Sequence, residues 1–176
     1  MKKEYYTNEY LSGIAEPNKE PAMIEFLKES NAIEGIYDNP SLEQAILAWE
    51  YLMNEDVLTV SVILKTHKIL MNNQRLQSNH KGYFRDCNVR VGNWVAMTHH
   101  MVGPSMQQWC FEAMRAYPAI DPIALHIQYE KIHPFVDGNG RTGRMFMNWM
   151  FMKRFNVPTI LVISEQDKKE YYQWFK

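Results

Sequence analysis

The sequence predicts a mainly α-helical domain that carries one small β-hairpin. Several stretches repeat apolar residues at intervals of three and four, which is the spacing of one face of a helix. Strand signals are few, and the only one with a turn signal lies within 88–97. The chain has 176 residues, which is the length of one domain, so we expect a single domain over 1–176.

Three apolar stripes predict helices in the first two thirds of the chain. Asn39-Pro40-Ser41 interrupts the chain, and Ser41 with Gln44 matches a capping box, so we expect a helix to begin at Ser41. Two further stripes have the same helical spacing. The stripes consist of Leu42, Ala45, Ile46, Trp49 and Met53, then Val60, Ile63, Leu64, His67 and Met71, then Met106, Trp109, Cys110, Ala113, Met114 and Tyr117.

Two helices are predicted around a glycine-rich segment in the last third. Asp121-Pro122 is a good helix start, because it combines an N-cap residue with proline at the first helical position. This helix is expected to end near His133. The next helix is expected to begin after Gly140 and to end near Phe155.

The predicted hairpin lies in 88–97. Residues 88–91 and 94–97 flank Gly92-Asn93, and glycine suits the first position of a tight turn. Two weaker signals follow later in the chain. Residues 159–163 form a short β-branched run without a clear partner strand, and Ser164 with Asp167 is expected to cap a last helix.

The composition excludes several classes of protein. The hydrophobic fraction of 46% excludes a disordered chain, and the net charge of −1 argues against a nucleic-acid-binding surface. Balanced charge does not exclude a small anion site. No signal peptide or bilayer-length apolar run is present, so we expect no membrane association. Cys87 and Cys110 are interpreted as small buried residues in a reducing compartment, which predicts a cytoplasmic protein.

The segment 133–144 combines residues that suit chemistry on a phosphate. Small residues lie where a helix begins, so backbone N–H groups and the helix dipole favour an anion. Arg141 and Arg144 add two guanidinium groups that match phosphate oxygens. Asp137 is an oxygen ligand of the kind Mg²⁺ takes together with substrate phosphates. His133 can accept a proton near neutral pH.

Residues 138–143 also match G-x-G-x-x-G, the fingerprint of dinucleotide-binding domains. Glu165 stands where a ribose-binding acid would be expected. That fingerprint requires a preceding strand, whereas residues 121–133 read as a helix. A zinc site at His126 and His133 is also disfavoured, because the sequence shows no further ligand beside them. His67 is interpreted as a core residue, and His99-His100 as part of a solvated loop.

The whole segment resembles the signature of the Fic family, His-x-Phe-x-(Asp/Glu)-Gly-Asn-Gly-Arg-x-x-Arg. Every fixed position of the signature is matched in this sequence. The matching residues are His133, Phe135, Asp137, Gly138, Asn139, Gly140, Arg141 and Arg144. The resemblance covers most of 21–154 and implies a helical fold.

The resemblance implies transfer of AMP from ATP to a protein hydroxyl, with release of pyrophosphate. His133 would deprotonate the hydroxyl, and Asp137 would coordinate Mg²⁺ or Mn²⁺. Arg141 and Arg144 would hold the β- and γ-phosphates. Some relatives that phosphorylate instead have lysine where this chain has Gly140. The anion cradle would consist of Gly138, Asn139 and Gly140, with Asn139 helping to hold the α-phosphate.

A second match lies upstream, in 21–35. Ser30 to Gly35 resembles the family's inhibitory motif, (Ser/Thr)-x-x-x-Glu-(Gly/Asn). Ser30 and Glu34 continue the apolar face of a helix, and a carboxylate on a buried face is costly unless it is paired. The resemblance names Arg144 as the partner, so that Glu34 would misplace the γ-phosphate of ATP. A purely structural glutamate near a helix end is the alternative.

The resemblance also assigns a role to the hairpin at 88–97, as a flap that binds a target segment by strand addition. Two alternatives to AMP transfer stay open: removal of AMP from a modified protein by the same site, with Glu34 aligning a water, and a module that binds a nucleotide without turnover. The resemblance implies that a homo-oligomer is possible, and the sequence locates no interface.

Overall fold

The computed structural model describes residues 20–115, 121–154 and 160–176. Within them the chain is mainly helical with one antiparallel hairpin, which confirms the predicted fold class. The predicted positions of Tyr117, Phe155 and Thr159 lie outside the described residues. The elements are α1 Glu20–Ile33, α2 Asn39–Met53, α3 Val60–Leu70, β1 Arg90–Val91, β2 Trp94–Val95, α4 His99–Ala113, α5 Pro122–Ile132, α6 Asn139–Trp149 and α7 Lys168–Tyr171, with a π-helical turn at Met150–Arg154 and 3₁₀ turns at Ser78–His80 and Tyr172–Phe175.

Polar caps begin the helices α2 and α3. The Asp38 carboxylate accepts hydrogen bonds from the backbone N–H of Ser41 at 2.9 Å and from its hydroxyl at 2.8 Å. The prediction that Ser41 caps α2 is therefore wrong, because Pro40 fits inside the first turn, where its missing N–H is not needed. Thr59 caps α3 by accepting from the N–H of Val62 at 3.3 Å.

The helix α4 begins earlier than its apolar stripe indicates. His99 and His100 form its first turn, so the prediction of a loop there is wrong. The Asn88 side chain accepts a hydrogen bond from the His99 N–H at 2.9 Å, and it comes from eleven positions upstream. A contact across that distance leaves no local pattern in the sequence.

The helices α5 and α6 form the centre of the molecule. Most side chains of α5 are buried, and in α6 every residue except Gly140 is buried. Helices α1, α2 and α3 contact α6, and α4 contacts α5. The segment that joins α5 to α6 is therefore held at both ends by buried helices. No helix in the described part of the chain is long and apolar enough to cross a bilayer.

The hairpin is confirmed, with shorter strands than the predicted range of 88–97. Arg90 pairs with Val95 and Val91 with Trp94, and the N–H of Ala96 donates to the carbonyl of Val89 at 3.1 Å. The turn contains Gly92 with a φ of 56°, a left-handed conformation that favours glycine. The hairpin lies beside the segment between α5 and α6, where Trp94 on β2 approaches His133.

The C-terminal residues hold the end of α1 against the core. Leu161, Ile163 and Tyr171 pack with Ile33 and Met147 in a second apolar cluster. The Lys168 ammonium group donates to the carbonyl of Ile33, and the Glu165 N–H donates to Glu29 at 2.6 Å. Ser164 and Asp167 do bond to each other, but in a turn before α7, whose N-cap position is Asp167 itself.

Candidate active site

The segment between α5 and α6 begins with a strained residue. His133 is the C-cap of α5, with φ 51° and ψ 64°, and its N–H donates to the carbonyl of Tyr129 at 2.8 Å. Such left-handed geometry costs a non-glycine residue about 1–3 kcal/mol unless its surroundings impose it. The Arg85 side chain helps to impose it, since its Nε donates to the His133 carbonyl at 2.7 Å.

Arg85 also ties the hairpin to this segment. The guanidinium is buried and donates to the carbonyls of Cys87 at 2.6 Å, Ile132 at 3.2 Å and Met97. Cys87 and Met97 stand at the two ends of the hairpin, so one side chain fixes both ends against the end of α5. The hairpin therefore has a defined position beside His133, and the Trp94 ring lies edge-on to the imidazole at 6.2 Å.

The loop after His133 is closed by the Asn139 side chain. Its Oδ1 accepts from the N–H of Phe135 at 2.8 Å, and its Nδ2 donates to the Phe135 carbonyl at 2.9 Å. Phe135 is fully buried and stacks on His67, which is the core histidine the sequence predicted. Both His67 nitrogens are satisfied, since Nδ1 accepts from the Gly82 N–H and Nε2 bonds to the Asp137 carbonyl, each at 2.9 Å.

Gly138 precedes α6 and requires glycine on two grounds. Its φ is 81°, and a Cβ there would lie 2.8 Å from the Met71 sulfur. The first N–H groups of α6, from Asn139 onward, have no partner within the helix. The segment thus presents a helix N-terminus, where the helix dipole favours an anion. The dinucleotide fingerprint is excluded, because the glycines follow the helix α5 and not a strand.

Arg141 and Asp137 lie together at the start of α6. Arg141 is 1% exposed, and its NH2 lies 3.6 Å from the Asp137 Oδ2, while the Asp137 side chain is 59% exposed. The Nε and NH1 of Arg141 have no hydrogen-bond partner among residues 20–115, 121–154 and 160–176. Burial lowers the pKa of Arg141, and the Asp137 carboxylate opposes that shift. Buried, unpaired guanidinium donors are costly unless an anion satisfies them.

The guanidinium group of Arg144 donates hydrogen bonds to Ser30, Glu34 and Tyr171. Its Nε donates to the Ser30 hydroxyl at 2.9 Å, and its NH2 donates to the Ser30 carbonyl at 2.8 Å and to the Glu34 Oε1 at 2.9 Å. Its NH1 donates to the Tyr171 hydroxyl at 3.1 Å. Burial opposes the charge of Arg144, but Tyr171 and Glu34 outweigh it and raise its pKa.

Glu34 is placed by a helix-ending motif. The N–H of Ile36 donates to the carbonyl of Asn31, and that of Gly35 to Ala32, which is the Schellman pattern. Gly35 has the positive φ, 73°, that this pattern needs. Glu34 therefore lies just beyond α1 rather than within it, with its carboxylate directed at Arg144.

The cavity beside His133 has a volume of about 490 Å³, which is within the usual range for small-molecule sites. Predicted residues His133, Glu34, Gly140 and Arg144 line it, together with the hairpin turn and the C-terminal residues Tyr171, Tyr172 and Phe175. Ser30 lies behind Arg144 and is buried. Asp137, Gly138, Asn139, Arg141 and Gly35 do not line this cavity.

Sequence reasoning missed four residues at this site: Arg85, His126, Glu130 and Tyr171. Glu130 was detectable, because it lies three positions before His133 on the same helix face. Arg85 and Tyr171 act across 48 and 27 positions of sequence, and no local pattern reports such contacts. Cys87, predicted to be buried, is exposed, whereas Cys110 is buried as predicted.

The fold thus combines a helical core, a histidine at the end of one central helix and a glycine-rich segment with two arginines at the start of the next helix. The Fic/DOC family model matches residues 57–151, which is more than half of the chain. The chain belongs to the Fic/DOC family.

Curated relatives carry the name protein adenylyltransferase Fic. The protein from Drosophila erecta is 31% identical over 160 residues, and that from Drosophila melanogaster is 29% identical over 160 residues. Each alignment covers 85% of this chain and 30% of the relative. The chain thus spans less than a third of the length of these relatives.

Solved structures show the same fold. A Fic-domain-containing signaling protein from Bacteroides thetaiotaomicron has a TM-score of 0.73 at 20% identity, and the match covers 97% of this chain and 75% of that one. Fic-1 from C. elegans has a TM-score of 0.66 at 21% identity, covering 86% of this chain and 53% of that one. At this identity the likeness concerns the fold.

Proposed function

We propose that this chain is a protein adenylyltransferase that transfers AMP from ATP to a hydroxyl group of a protein side chain. The observation that carries the proposal is the placement of His133 and the start of α6 at one cavity, next to the hairpin. His133 takes the hydroxyl proton, the hydroxyl oxygen bonds to the α-phosphorus, and the bond from that phosphorus to pyrophosphate breaks.

The nucleotide phosphates are assigned to the start of α6. The backbone N–H groups of Asn139 and Gly140 lie at the helix N-terminus, where they can bind an anion, whereas the N–H of Gly138 donates to the Asp137 Oδ1 at 2.6 Å, so we assign Gly138 the turn that precedes them. Arg141 offers buried donors that no described residue satisfies. Since the Asn139 side chain is occupied by Phe135, we assign its contribution to its backbone N–H.

Asp137 is the residue that we assign to a divalent metal. No group of three or more His, Cys, Asp or Glu side chains in the described ranges could hold a metal ion by itself. Mg²⁺ in phosphoryl-transfer sites usually needs only one or two carboxylates plus phosphate oxygens, and Asp137 is exposed beside Arg141. Mg²⁺ or Mn²⁺, when bound, supplies charge neutralisation on the phosphates.

The hairpin is assigned to the target protein. Its two strands pair only with each other within the described chain, so each has an outer edge that can add a strand. Val95 on β2 is exposed, and Trp94 lies beside His133. A peptide segment bound to this edge would lie close to His133. This arrangement fits a hydroxyl group of a protein better than a small-molecule acceptor.

We assign an inhibitory role to Ser30, Glu34 and Gly35. Arg144 is the second arginine of the phosphate-binding pair, and its donors are occupied by Ser30, Glu34 and Tyr171. A Cβ on Gly140 would collide with the Glu34 carboxylate, so glycine at this position lets Glu34 reach Arg144. While Glu34 remains there, Arg144 cannot bind a terminal phosphate, and transfer is suppressed.

The direct test measures labelling with ATP carrying a radioactive α-phosphate. Glu34→Gly should label itself or a target more than wild type does, and Glu25→Gln, which removes an exposed carboxylate of α1 without a helix-breaking residue, should match wild type. In the Glu34→Gly background, His133→Ala should abolish labelling and still bind ATP, whereas His100→Ala should label normally.

Two results contradict the proposal. Undiminished labelling with His133→Ala excludes the mechanism, and equal labelling by wild type and Glu34→Gly excludes the inhibition. ATP binding without any label in all variants indicates the non-catalytic nucleotide module instead.

A second candidate is the removal of AMP by the same site. The observation that favours it is that the Glu34 carboxylate, whose side chain is 33% exposed, borders the cavity that holds His133 and could orient a water there. Wild type added to protein labelled by Glu34→Gly would then release AMP, and Glu34→Gln would not. Stable label in the presence of wild type and either metal excludes this reaction.

A further inference from the structure

A buried acid lies beneath the proposed base. Glu130 is on the last turn of α5, three residues before His133, and its side chain is 10% exposed. The Glu130 Oε2 lies 3.6 Å from the His133 Nδ1. That distance is slightly longer than a hydrogen bond, and catalytic hydrogen bonds in enzymes without substrate commonly tighten when substrate binds.

Each group has a buried polar atom without a hydrogen-bond partner. The His133 Nδ1 and the Glu130 Oε1 are buried and make no hydrogen bond within the described chain. A buried carboxylate without a partner is strongly destabilising, so each group is the natural partner of the other. Burial raises the pKa of Glu130, but its polar surroundings, with His133 first among them, outweigh burial and lower that pKa overall.

The other groups near Glu130 leave this pairing in place. Burial lowers the pKa of His126 to about 4, so this imidazole is neutral at pH 7, and its Nε2 bonds to the Tyr171 hydroxyl at 2.8 Å. Arg144 is engaged by Ser30, Glu34 and Tyr171. Room for the carboxylate is made by Gly143, where a Cβ would lie 2.9 Å from the Glu130 Oε1.

We propose that Glu130 is the positioning residue of the base, an inference that rests on the proposed function. Its carboxylate accepts from the Nδ1–H of His133, so the tautomer that leaves Nε2 without a proton is selected. Nε2 then takes the proton of the target hydroxyl. The carboxylate stabilises the imidazolium that forms, as an acid behind a histidine does in hydrolase triads.

The kinetic test uses the activated background of Glu34→Gly. Glu130→Gln keeps the shape and removes the charge, and we expect kcat for AMP transfer to fall about 10- to 100-fold, a part of the roughly 10²–10⁴-fold that a positioned base contributes. The KM for ATP should stay within about twofold, because Glu130 does not touch the phosphates. Glu50→Gln, an exposed glutamate on α2, is the matched control. An unchanged kcat overturns the proposal, and so does a loss confined to KM.

An independent readout requires no activity. In the protein labelled with ¹⁵N-histidine, the His133 signal is assigned by its absence from His133→Ala. We expect the Nδ1–H form in the otherwise wild-type protein, and a shift toward Nε2–H in Glu130→Met, with circular dichroism confirming the fold. An Nε2–H tautomer for His133 in wild type overturns the positioning role, even if AMP transfer is observed. Absence of AMP transfer in Glu34→Gly contradicts the proposed function, and the tautomer then still decides the role of Glu130.

Discussion

Replacing Arg85 tests whether one buried side chain holds the hairpin against the end of α5. Its guanidinium donates to the carbonyls of Cys87, Met97, Ile132 and His133, and its own backbone N–H donates to Pro134 at 2.9 Å. Arg85→Met has a similar length, keeps the backbone contact and removes all the side-chain donors. The carbonyls are then left without their charged partner.

The magnitude follows from these bonds. A hydrogen bond from a charged donor contributes about 1.5–3 kcal/mol, and an unsatisfied buried acceptor costs about 1–3 kcal/mol. The effects are not additive, and water can reach carbonyls near the exposed Cys87. We therefore expect Arg85→Met to lower the free energy of unfolding by about 3–5 kcal/mol, and Arg85→Lys by less, since an ammonium cannot span four acceptors.

The measurement is urea unfolding followed by tryptophan fluorescence, with the slope m compared between variants to confirm a single transition. Arg75→Met replaces an exposed arginine and should stay within about 0.5 kcal/mol of wild type. If Arg85→Met is equally close to wild type, the four carbonyls do not depend on Arg85 and the reasoning is refuted. In the Glu34→Gly background, a folded Arg85→Met should also lose AMP transfer, because Arg85 would no longer fix the hairpin beside His133.

Three further predictions concern the buried groups behind Arg144. Tyr171→Phe removes the hydroxyl that joins His126 to Arg144, so calorimetry should show a loss of about 1–3 kcal/mol, and an unchanged melting temperature would contradict this. Burial lowers the pKa of His126 to about 4, so the unfolded chain binds its proton first; this contribution to stability is present above about pH 7 and is lost as the pH falls from 6.5 towards 4. Between pH 7 and 5 His126 should account for a loss of about 2 kcal/mol, measured as the difference between wild type and His126→Gln, because burial also lowers the pKa of His67 to about 4 and His67 adds its own loss in both proteins. Gly143→Ala places a Cβ 2.8 Å from the His126 ring and should cost about 1–3 kcal/mol in urea unfolding, and a neutral result would show that the ring can move aside.

The sequence was sufficient to predict those features that depend on neighbouring residues. The glycine-rich segment had to join two helices, since Asp121-Pro122 begins one and small residues begin the next. The sequence also predicted Glu34 on an inward face, because the apolar stripe of α1 points it there. The helix α1 can end there because Gly35 adopts the positive φ that the helix-ending turn requires.

The sequence did not suffice where one side chain serves several distant carbonyls. A buried arginine near a hairpin looks like a surface charge in a linear reading, and only the fold shows that Arg85 has four backbone acceptors. The same holds for Tyr171, which reads as an aromatic residue on a short terminal helix and proves to bond both His126 and Arg144. The roles of Arg85 and Tyr171 depend on hydrogen-bond partners that come close only when the chain has folded.

Two glycines on one helix make room for the two carboxylates to which we assign inhibition and base positioning. Gly140 and Gly143 lie three positions apart on α6, so they face the same side. Each leaves a gap that a carboxylate fills: Glu34 enters beside Gly140, and Glu130 lies against Gly143. The first acid directly follows the end of α1, whereas the second belongs to α5. If the proposed inhibition is correct, release of Glu34 would free Arg144 without moving the Glu130 carboxylate behind His133, because the two acids approach α6 from different helices.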